Sequence, residues 1–474
     1  MRATFTIPEI LSVTSGALVQ NGAWDAFCGV STDSRTCQTG ELFIPLSGER
    51  HDGHDFIPKA VHRGARGVLV EKRIFVGTGL KPAPTVPREI TVIAVNDALT
   101  ALGDLARAWR ARFKVPVVGI TGSCGKTTTK EMIAAVLAPA FRVLKNRLNL
   151  NNLIGMPLTL LGLEGTHEAA VVEMGMNAFG EIHRLTQIAR PTVGVLTNVH
   201  PAHTAGVGDI AGVARAKGEL MYALNHGASL VYNADDPWVA RLAQNFRGPR
   251  LGFGLCATAH LRAWERQSLG RNGQTACLSF KGQAWPLTLA APGLHMLYNA
   301  LAATAVGLLL GLAPQETAAA LGGFQTIHRR SQVVTLASGI QLLNDCYNAN
   351  PGSMAMALST LMELRDSGRA AAALGDMLEL GEGAAAEHQA LGRLAAKLGL
   401  DLLVTYGSHR QDVADGAVEA GLSPARIFPV KSQAEGAQIL KELLAPGDWL
   451  LVKGSRSMHM EGLIDRLEIQ SSNR

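Results

Sequence analysis

No two of the six cysteines, Cys28, Cys37, Cys124, Cys256, Cys277 and Cys346, stand at Cys-x-x-Cys spacing. Scattered in this way they read as reduced thiols of a cytoplasmic protein, not as a disulfide framework or a zinc site. Charge is sparse: 18% of residues are charged, no run of one sign stands out, and the net charge is +5 over 474 residues. Nucleic-acid binding therefore has no compositional support, and the small excess of Lys and Arg suits an anionic small substrate or an ordinary surface equally well. The longest uncharged apolar stretch, residues 300–313, is too short to cross a bilayer and contains two glycines. The first nine residues carry no signal-peptide core. These absences predict a soluble, cytoplasmic protein. No short repeat or low-complexity tract occurs, which leaves separate globular domains.

Hydrophobic residues make up 47% of the chain, and its 51 glycines imply many tight turns and close approaches of backbone to ligand. The length exceeds what one ordinary core supports. Three grammars follow one another. Residues 1–112 mix short strands (42–46, 67–70) with a short helix (56–63), a Pro- and Gly-rich loop (78–88) and a longer helix (98–113). Over 113–326, apolar strands at 117–121, 169–173, 193–198 and 229–233 alternate with helices; 249–290 reads as an antiparallel excursion and 299–312 as a closing helix. Residues 327–474 form a second such unit, with strands at 341–344, 370–374, 402–406, 426–430 and 449–453. The expected fold class is α/β in three domains. A small α/β N-terminal domain precedes a central P-loop domain with a doubly wound, mostly parallel sheet, and a C-terminal Rossmann-like α/β domain follows.

The strongest motif runs from Val117 to Thr129. An apolar strand enters Thr121-Gly122-Ser123-Cys124-Gly125-Lys126-Thr127-Thr128 and a helix follows, expected from Lys130 to Leu137. Gly122 and Gly125 let backbone N–H groups turn inward around phosphate oxygens, and the helix N-terminus adds its positive end. Lys126 supplies a point charge for the β- and γ-phosphates, and the Thr127 hydroxyl suits Mg²⁺. The first glycine of the usual motif is replaced by Ile120, so the match is to a T-G-x-x-G-K-T variant.

Downstream, Glu173 closes one strand, His203 follows another, and Lys217 falls where a helix is expected to open. Ligands gather beyond the carboxyl ends of strands in such sheets, so Glu173 and His203 are placed to meet Mg²⁺. Each also reads alone as an ordinary loop or surface residue.

Taken in order, several segments resemble the Mur ligases of peptidoglycan synthesis over essentially the whole chain. They are Thr121 to Glu131, Asn149-Leu150-Asn151-Asn152, Glu173-Met174-Gly175-Met176-Asn177, Thr197 to His203, Ala216-Lys217-Gly218-Glu219 and Asn299-Ala300-Leu301-Ala302-Ala303. Asp345-Cys346-Tyr347-Asn348-Ala349-Asn350-Pro351, Gly375 to Gly381 and Lys453-Gly454-Ser455-Arg456 complete the set. The last three resemble the branch that joins D-alanyl-D-alanine to UDP-N-acetylmuramoyl-tripeptide; the Asp-Asn-Pro-Arg signature of the diaminopimelate-adding branch is not found. Thr204-Ala205-Gly206-Val207 departs from the family's usual Leu-Glu-Gly-Phe-like run.

The resemblance implies an ATP-dependent, Mg²⁺-requiring amide ligase that works through an acyl phosphate. Gly122 to Thr128, Asn299, Arg330 and Asp345 would hold the nucleotide; Thr127, Glu173, His203 and a carbamylated Lys217 would hold the metal. Lys126, His203, Lys217, Lys453 and Arg456 would serve catalysis. Asn151, Tyr347, Asn348 and Asn350 would contact substrate. So would Ser31, Thr32, Asp33, Ser34 and Arg35, with Gly48, Arg50, Asp52 and His54, in a UDP-sugar-peptide-binding domain. The implied partners are the nucleotide-linked tripeptide and D-alanyl-D-alanine, with no nucleic acid, no membrane insertion and a monomeric state. Two alternatives stay open: a sister ligase adding a single amino acid such as diaminopimelate or lysine, and an ATP-binding regulatory protein with a dead site.

Overall fold

The structure, a computed structural model, describes residues 3–48, 51–74, 86–147 and 150–468. Every residue of Val117–Thr121, Ala169–Glu173 and Val193–Leu196 is buried, as short apolar runs covered on both faces must be. They lie side by side within a nine-stranded sheet. Its spatial order is Gln283–Leu289, Gln274–Phe280, Leu261–Ser268, Arg250–Gly254, Ser229–Asn233, Val193–Leu196, Val117–Thr121, Ala169–Glu173 and Val143–Lys145. Val117–Thr121 comes first in the chain yet has parallel neighbours on both sides, so the order reverses at its carboxyl end. Such a switch point leaves a crevice.

The region 249–290 is only partly the expected antiparallel excursion. Arg250–Gly254 pairs parallel with the strand before it and with the start of Leu261–Ser268, and only the last three strands run as an antiparallel meander. The helix expected from Lys130 begins at Lys126, directly on the loop, and the one expected from 299 begins at Leu294, after Gly293 at φ 94°. Asn299 is thus set more than a turn inside its helix. Lys217 does not open a helix. Asp209 caps Ile210–Ala223 by accepting the Gly212 N–H at 2.7 Å, which puts Lys217 in mid-helix.

The C-terminal sheet has six strands in the order Gln332–Thr335, Gln341–Asn344, Trp449–Lys453, Ala370–Gly375, Leu402–Tyr406 and Ile427–Val430, all parallel except the first. The N-terminal sheet has five, Ala17–Gln20, Thr91–Val95, Gly67–Glu71, Leu42–Phe43 and Val30–Ser31. The strand expected at 42–46 stops at Phe43, two residues before Pro45, which has no N–H for a ladder. The helix expected at 56–63 is Ile57–His62 after a 3₁₀ turn, Gly53–Phe56. The loop expected at 78–88 lies mainly outside the described residues. Ala98–Ala111 is capped by Asp97, and from it the buried Arg110 guanidinium donates to the carbonyls of Ala189, Phe113 and Val115, at 3.0, 2.6 and 3.2 Å. Those bonds tie the first domain to the second. Among the described residues no helix is long and apolar enough to cross a membrane, and all six cysteines are free.

Candidate active site

The phosphate loop is shaped by its neighbour strand as much as by its own glycines. The N–H groups of Ser123 and Cys124 donate to the carbonyl and side-chain oxygens of Asn198, at 3.0 and 2.8 Å. The Thr197 hydroxyl donates to the Cys124 carbonyl at 2.9 Å, and Ser123 exchanges two 2.9 Å bonds with the His200 backbone. A Cβ on Gly122 would stand 1.9 Å from Thr197 Oγ1, and Gly125, at φ 78°, packs against Asn299 Oδ1. Gly125 caps the Lys126–Leu137 helix without any side-chain hydrogen bond, so the first N–H groups of that helix remain available to an anion. Lys126 Nζ folds back onto the Gly122 carbonyl at 2.8 Å. Burial pulls its ammonium below the usual lysine range, and the Glu173 carboxylate opposes that shift.

Glu173 ends its strand with one oxygen accepting from Thr127 Oγ1 and the other from Asn151 Nδ2, both at 2.7 Å. Asn151, expected at the substrate, is therefore engaged with the expected metal ligand. His203 lines the same cleft, but its Nδ1 faces Glu379 of the C-terminal domain at 2.6 Å, not Glu173. His203 and Glu379 both hold left-handed backbone, at φ 56° and 64°. Beside them, Thr204 Oγ1 donates to the Leu380 carbonyl at 2.9 Å, so the atypical 204–207 run serves as a contact between domains. Lys217 has 1% of its surface exposed and is not among the residues lining the cleft. Burial, reinforced by the Lys126 charge and opposed by Cys124, holds its amine well below the usual lysine range.

The C-terminal domain closes the other wall. Lys453, 2% exposed, donates to Asp345 Oδ2 at 2.5 Å and to the Asn348 carbonyl at 2.9 Å, while Ser331 N–H donates to Asp345 Oδ1 at 2.9 Å. The Arg330 guanidinium lies 4.0 Å from the Tyr347 ring centre. Arg456 donates its N–H to Asn348 Oδ1 at 3.3 Å and its guanidinium to Glu461 at 2.7 Å. Asn350 reaches the phosphate loop itself: its Oδ1 accepts from the Cys124 thiol at 3.0 Å and its Nδ2 donates to the Ser123 carbonyl at 3.4 Å. Between the two walls lies a cleft of about 730 Å³ that the loop, Thr127, Thr128, Glu173, Asn299, Arg330, Asp345, Tyr347, Asn348, Asn350, Lys453 and Arg456 all line.

Among the described residues, none of the N-terminal candidates lines this cleft. Ser31 Oγ donates to the Asp33 carbonyl at 3.1 Å, Ser34 is buried, Thr32 is half-buried, and exposed Arg35 pairs with Asp33 at 2.8 Å. Gly48 donates its N–H to the His51 carbonyl, and Asp52 caps the 3₁₀ turn. His54, expected as a ligand contact, is instead sealed into the fold: Nδ1 lies 2.7 Å from Asp52 and Nε2 accepts the Glu71 N–H at 3.3 Å. Arg50 falls outside the described residues. The sequence reading also passed over Asp235, Tyr298 and Glu379. Asp235 follows the strand Ser229–Asn233, accepts from the Leu255 and Cys256 N–H groups and from the Tyr298 hydroxyl, and lines the cleft. The carboxyl-end rule that picks out Glu173 would have found it.

Three family models match consecutive parts of the chain: the Mur ligase family catalytic domain over residues 27–110, the Mur ligase middle domain over 120–307 and the Mur ligase glutamate ligase domain over 329–456. A UDP-N-acetylmuramoyl-tripeptide–D-alanyl-D-alanine ligase of Bacillus subtilis is 36% identical, with 98% of each chain covered. A crystal structure of MurF from Acinetobacter baumannii superposes with a TM-score of 0.89 at 29% identity, covering 99% of this chain and 100% of that one. MurF from Thermotoga maritima in complex with ADP superposes with a TM-score of 0.81 at 26% identity, covering 93% and 96%. With full-length identity at this level, three consecutive domain matches and the three-domain α/β architecture in common, the chain belongs to the Mur ligase family.

Proposed function

We propose that the protein joins the amine of D-alanyl-D-alanine to the terminal carboxylate of UDP-N-acetylmuramoyl-tripeptide, consuming ATP, in the cytoplasmic synthesis of peptidoglycan precursor. The observation that carries this reading is the cleft itself, which sets an open helix N-terminus with Lys126 opposite the Asp345–Lys453 pair of another domain. A carboxylate is a poor electrophile, so the γ-phosphoryl group of ATP activates it as an acyl phosphate and the dipeptide amine displaces phosphate. Catalysis is then chiefly positioning and charge neutralisation. Lys126 and the helix N-terminus hold the phosphates, and Lys453 and Arg456 supply positive charge near the reacting carboxylate. The C-terminal wall keeps water from the acyl phosphate.

Thr127 and Glu173 fit a small, hard cation: a hydroxyl and a carboxylate already in contact beside the loop. Among the described residues no three His, Cys, Asp or Glu side chains gather to hold a metal on their own. Mg²⁺ takes few protein ligands and completes its shell with phosphate oxygens and water. When bound it would neutralise charge on the nucleotide's phosphates. A depressed lysine pKa supports a carbamate on Lys217, because only a neutral amine adds CO₂.

Phosphate release measured with the nucleotide-tripeptide and a panel of amines tests the reading. D-alanyl-D-alanine is expected to support turnover and single amino acids are not; a product mass showing one added diaminopimelate or lysine moves the protein to the sister activity. The uridine end is assigned to the N-terminal domain, where Arg35 is free of the core. Arg35→Ala is expected to raise KM for the nucleotide-tripeptide roughly tenfold, the worth of one charge-assisted hydrogen bond, with kcat nearly unchanged. An unaltered KM would remove the Asp33–Arg35 turn from the binding site.

A further inference from the structure

The strand Val143–Lys145 pairs parallel with Ala169–Glu173, and its ladder ends at Lys145 opposite Val171. Beyond that point a side chain continues it. Asn146 Oδ1 accepts the Glu173 N–H at 2.9 Å and Asn146 Nδ2 donates to the Glu173 carbonyl at 3.1 Å. One amide thus brackets both backbone groups of the residue whose carboxylate faces the phosphate loop. The second Nδ2 hydrogen goes to the Leu150 carbonyl at 2.8 Å, which fixes the segment that carries Asn151, the donor to Glu173 Oε1. The backbone of Asn146 is held in turn. Its carbonyl accepts from Lys130 Nζ at 2.6 Å, and Lys130 has no exposed surface and stands one turn beyond Thr127 on the loop's own helix.

These contacts close a ring: Thr127, its helix, Lys130, Asn146, Glu173 and back to Thr127. Each of the four side chains is more than nine-tenths buried. The amide directs its polar atoms at Glu173 and at the loop that carries that residue's other partner.

We infer that Asn146 is a positioning residue for the divalent-cation site: it aims the Glu173 carboxylate at Thr127, and Lys130 fixes Asn146. The inference rests on Thr127 and Glu173 being the cation's protein ligands. Outer groups that orient a metal ligand typically change affinity by about 10–100-fold when removed.

Mn²⁺ serves as the probe, titrated by electron paramagnetic resonance into the ADP-saturated protein, with ADP titrated separately in the absence of cation. Asn146→Ala is expected to weaken Mn²⁺ binding by roughly 10–100-fold and to leave cation-free ADP affinity unchanged. Lys130→Met keeps the bulk and removes the bond to the Asn146 carbonyl together with the 3.1 Å ion pair to Glu131, so it gives a smaller loss of the same kind and stands in should Asn146→Ala fail to fold. Unchanged Mn²⁺ affinity, or equal weakening of Mn²⁺ and ADP as a general loss of structure would give, overturns the inference. Glu173→Gln separates the two levels. If it also leaves Mn²⁺ affinity intact, the cation site itself is misplaced; if it weakens Mn²⁺ while the other two variants do not, only the role of Asn146 is lost.

Discussion

Lys126→Ala is expected to lose ATP-dependent ligation by at least 10²–10³-fold in kcat, on the order of the effect of removing one preorganised charge-stabilising donor. The fold should survive. In the resting protein Lys126 contributes a 2.8 Å bond to the Gly122 carbonyl and a long one to Ser123, worth about 1 kcal/mol together against the whole. A small drop in melting temperature beside a near-total loss of phosphate release is therefore the expected pair of readings. The Lys126 ammonium is already inside the site, with burial against it and Glu173 for it, so its charge acts on phosphate with little screening by water. Turnover like the wild type in a purified variant would mean that the loop does not carry the nucleotide.

Lys217→Ala is expected to be nearly inactive and to regain part of its activity in acetate or formate, small carboxylates that can replace a carbamate oxygen. Lys217 sits on the buried face of the helix Ile210–Ala223, so its unmodified charge has nowhere to be hydrated. The depressed pKa also sets a sign. Folding without CO₂ favours the neutral amine, because burial holds its pKa well below the 10.5 at which the unfolded chain protonates it. The unmodified lysine therefore destabilises the fold below that pH, increasingly so down to its folded-state pKa. In CO₂-free buffer Lys217→Met should gain stability over the wild type at pH 7 and much less at pH 10. Equal stability differences at both pH values, or full activity of Lys217→Ala, would leave Lys217 an ordinary core residue.

What was legible in the sequence follows from how local each signal is. Glu173 could be read because a carboxylate closing an apolar strand has few other uses, and the loop could be read because its glycines, lysine and threonine are contiguous. Lys217 was placed correctly in the chain but wrongly in its helix, since Asp209 as the cap lies eight residues upstream of it. The partner of His203 could not be read at all: Glu379 belongs to another domain and meets it only through the docking of two loops. His54 misled for the opposite reason, because a polar, turn-rich segment looks the same whether its histidine faces a ligand or, as here, staples Asp52 to the strand Gly67–Glu71. Asn146 gave no signal, as an asparagine just past a strand reads as a turn.

The bracing of the phosphate loop by Asn198 bears on how the chain acquires its activity. Two of the loop's N–H groups are satisfied by a residue more than seventy positions later, and the strand that carries the loop is flanked only by strands that are synthesised after it. Contacts of that separation are made late, because a long loop of chain must be closed before any of them stabilises the nucleus. A nascent or truncated chain ending before the strand Val193–Leu196 would contain the whole glycine-rich motif and still have no site for a nucleotide. The motif is short in sequence, but as a folding event it spans the first half of the central domain.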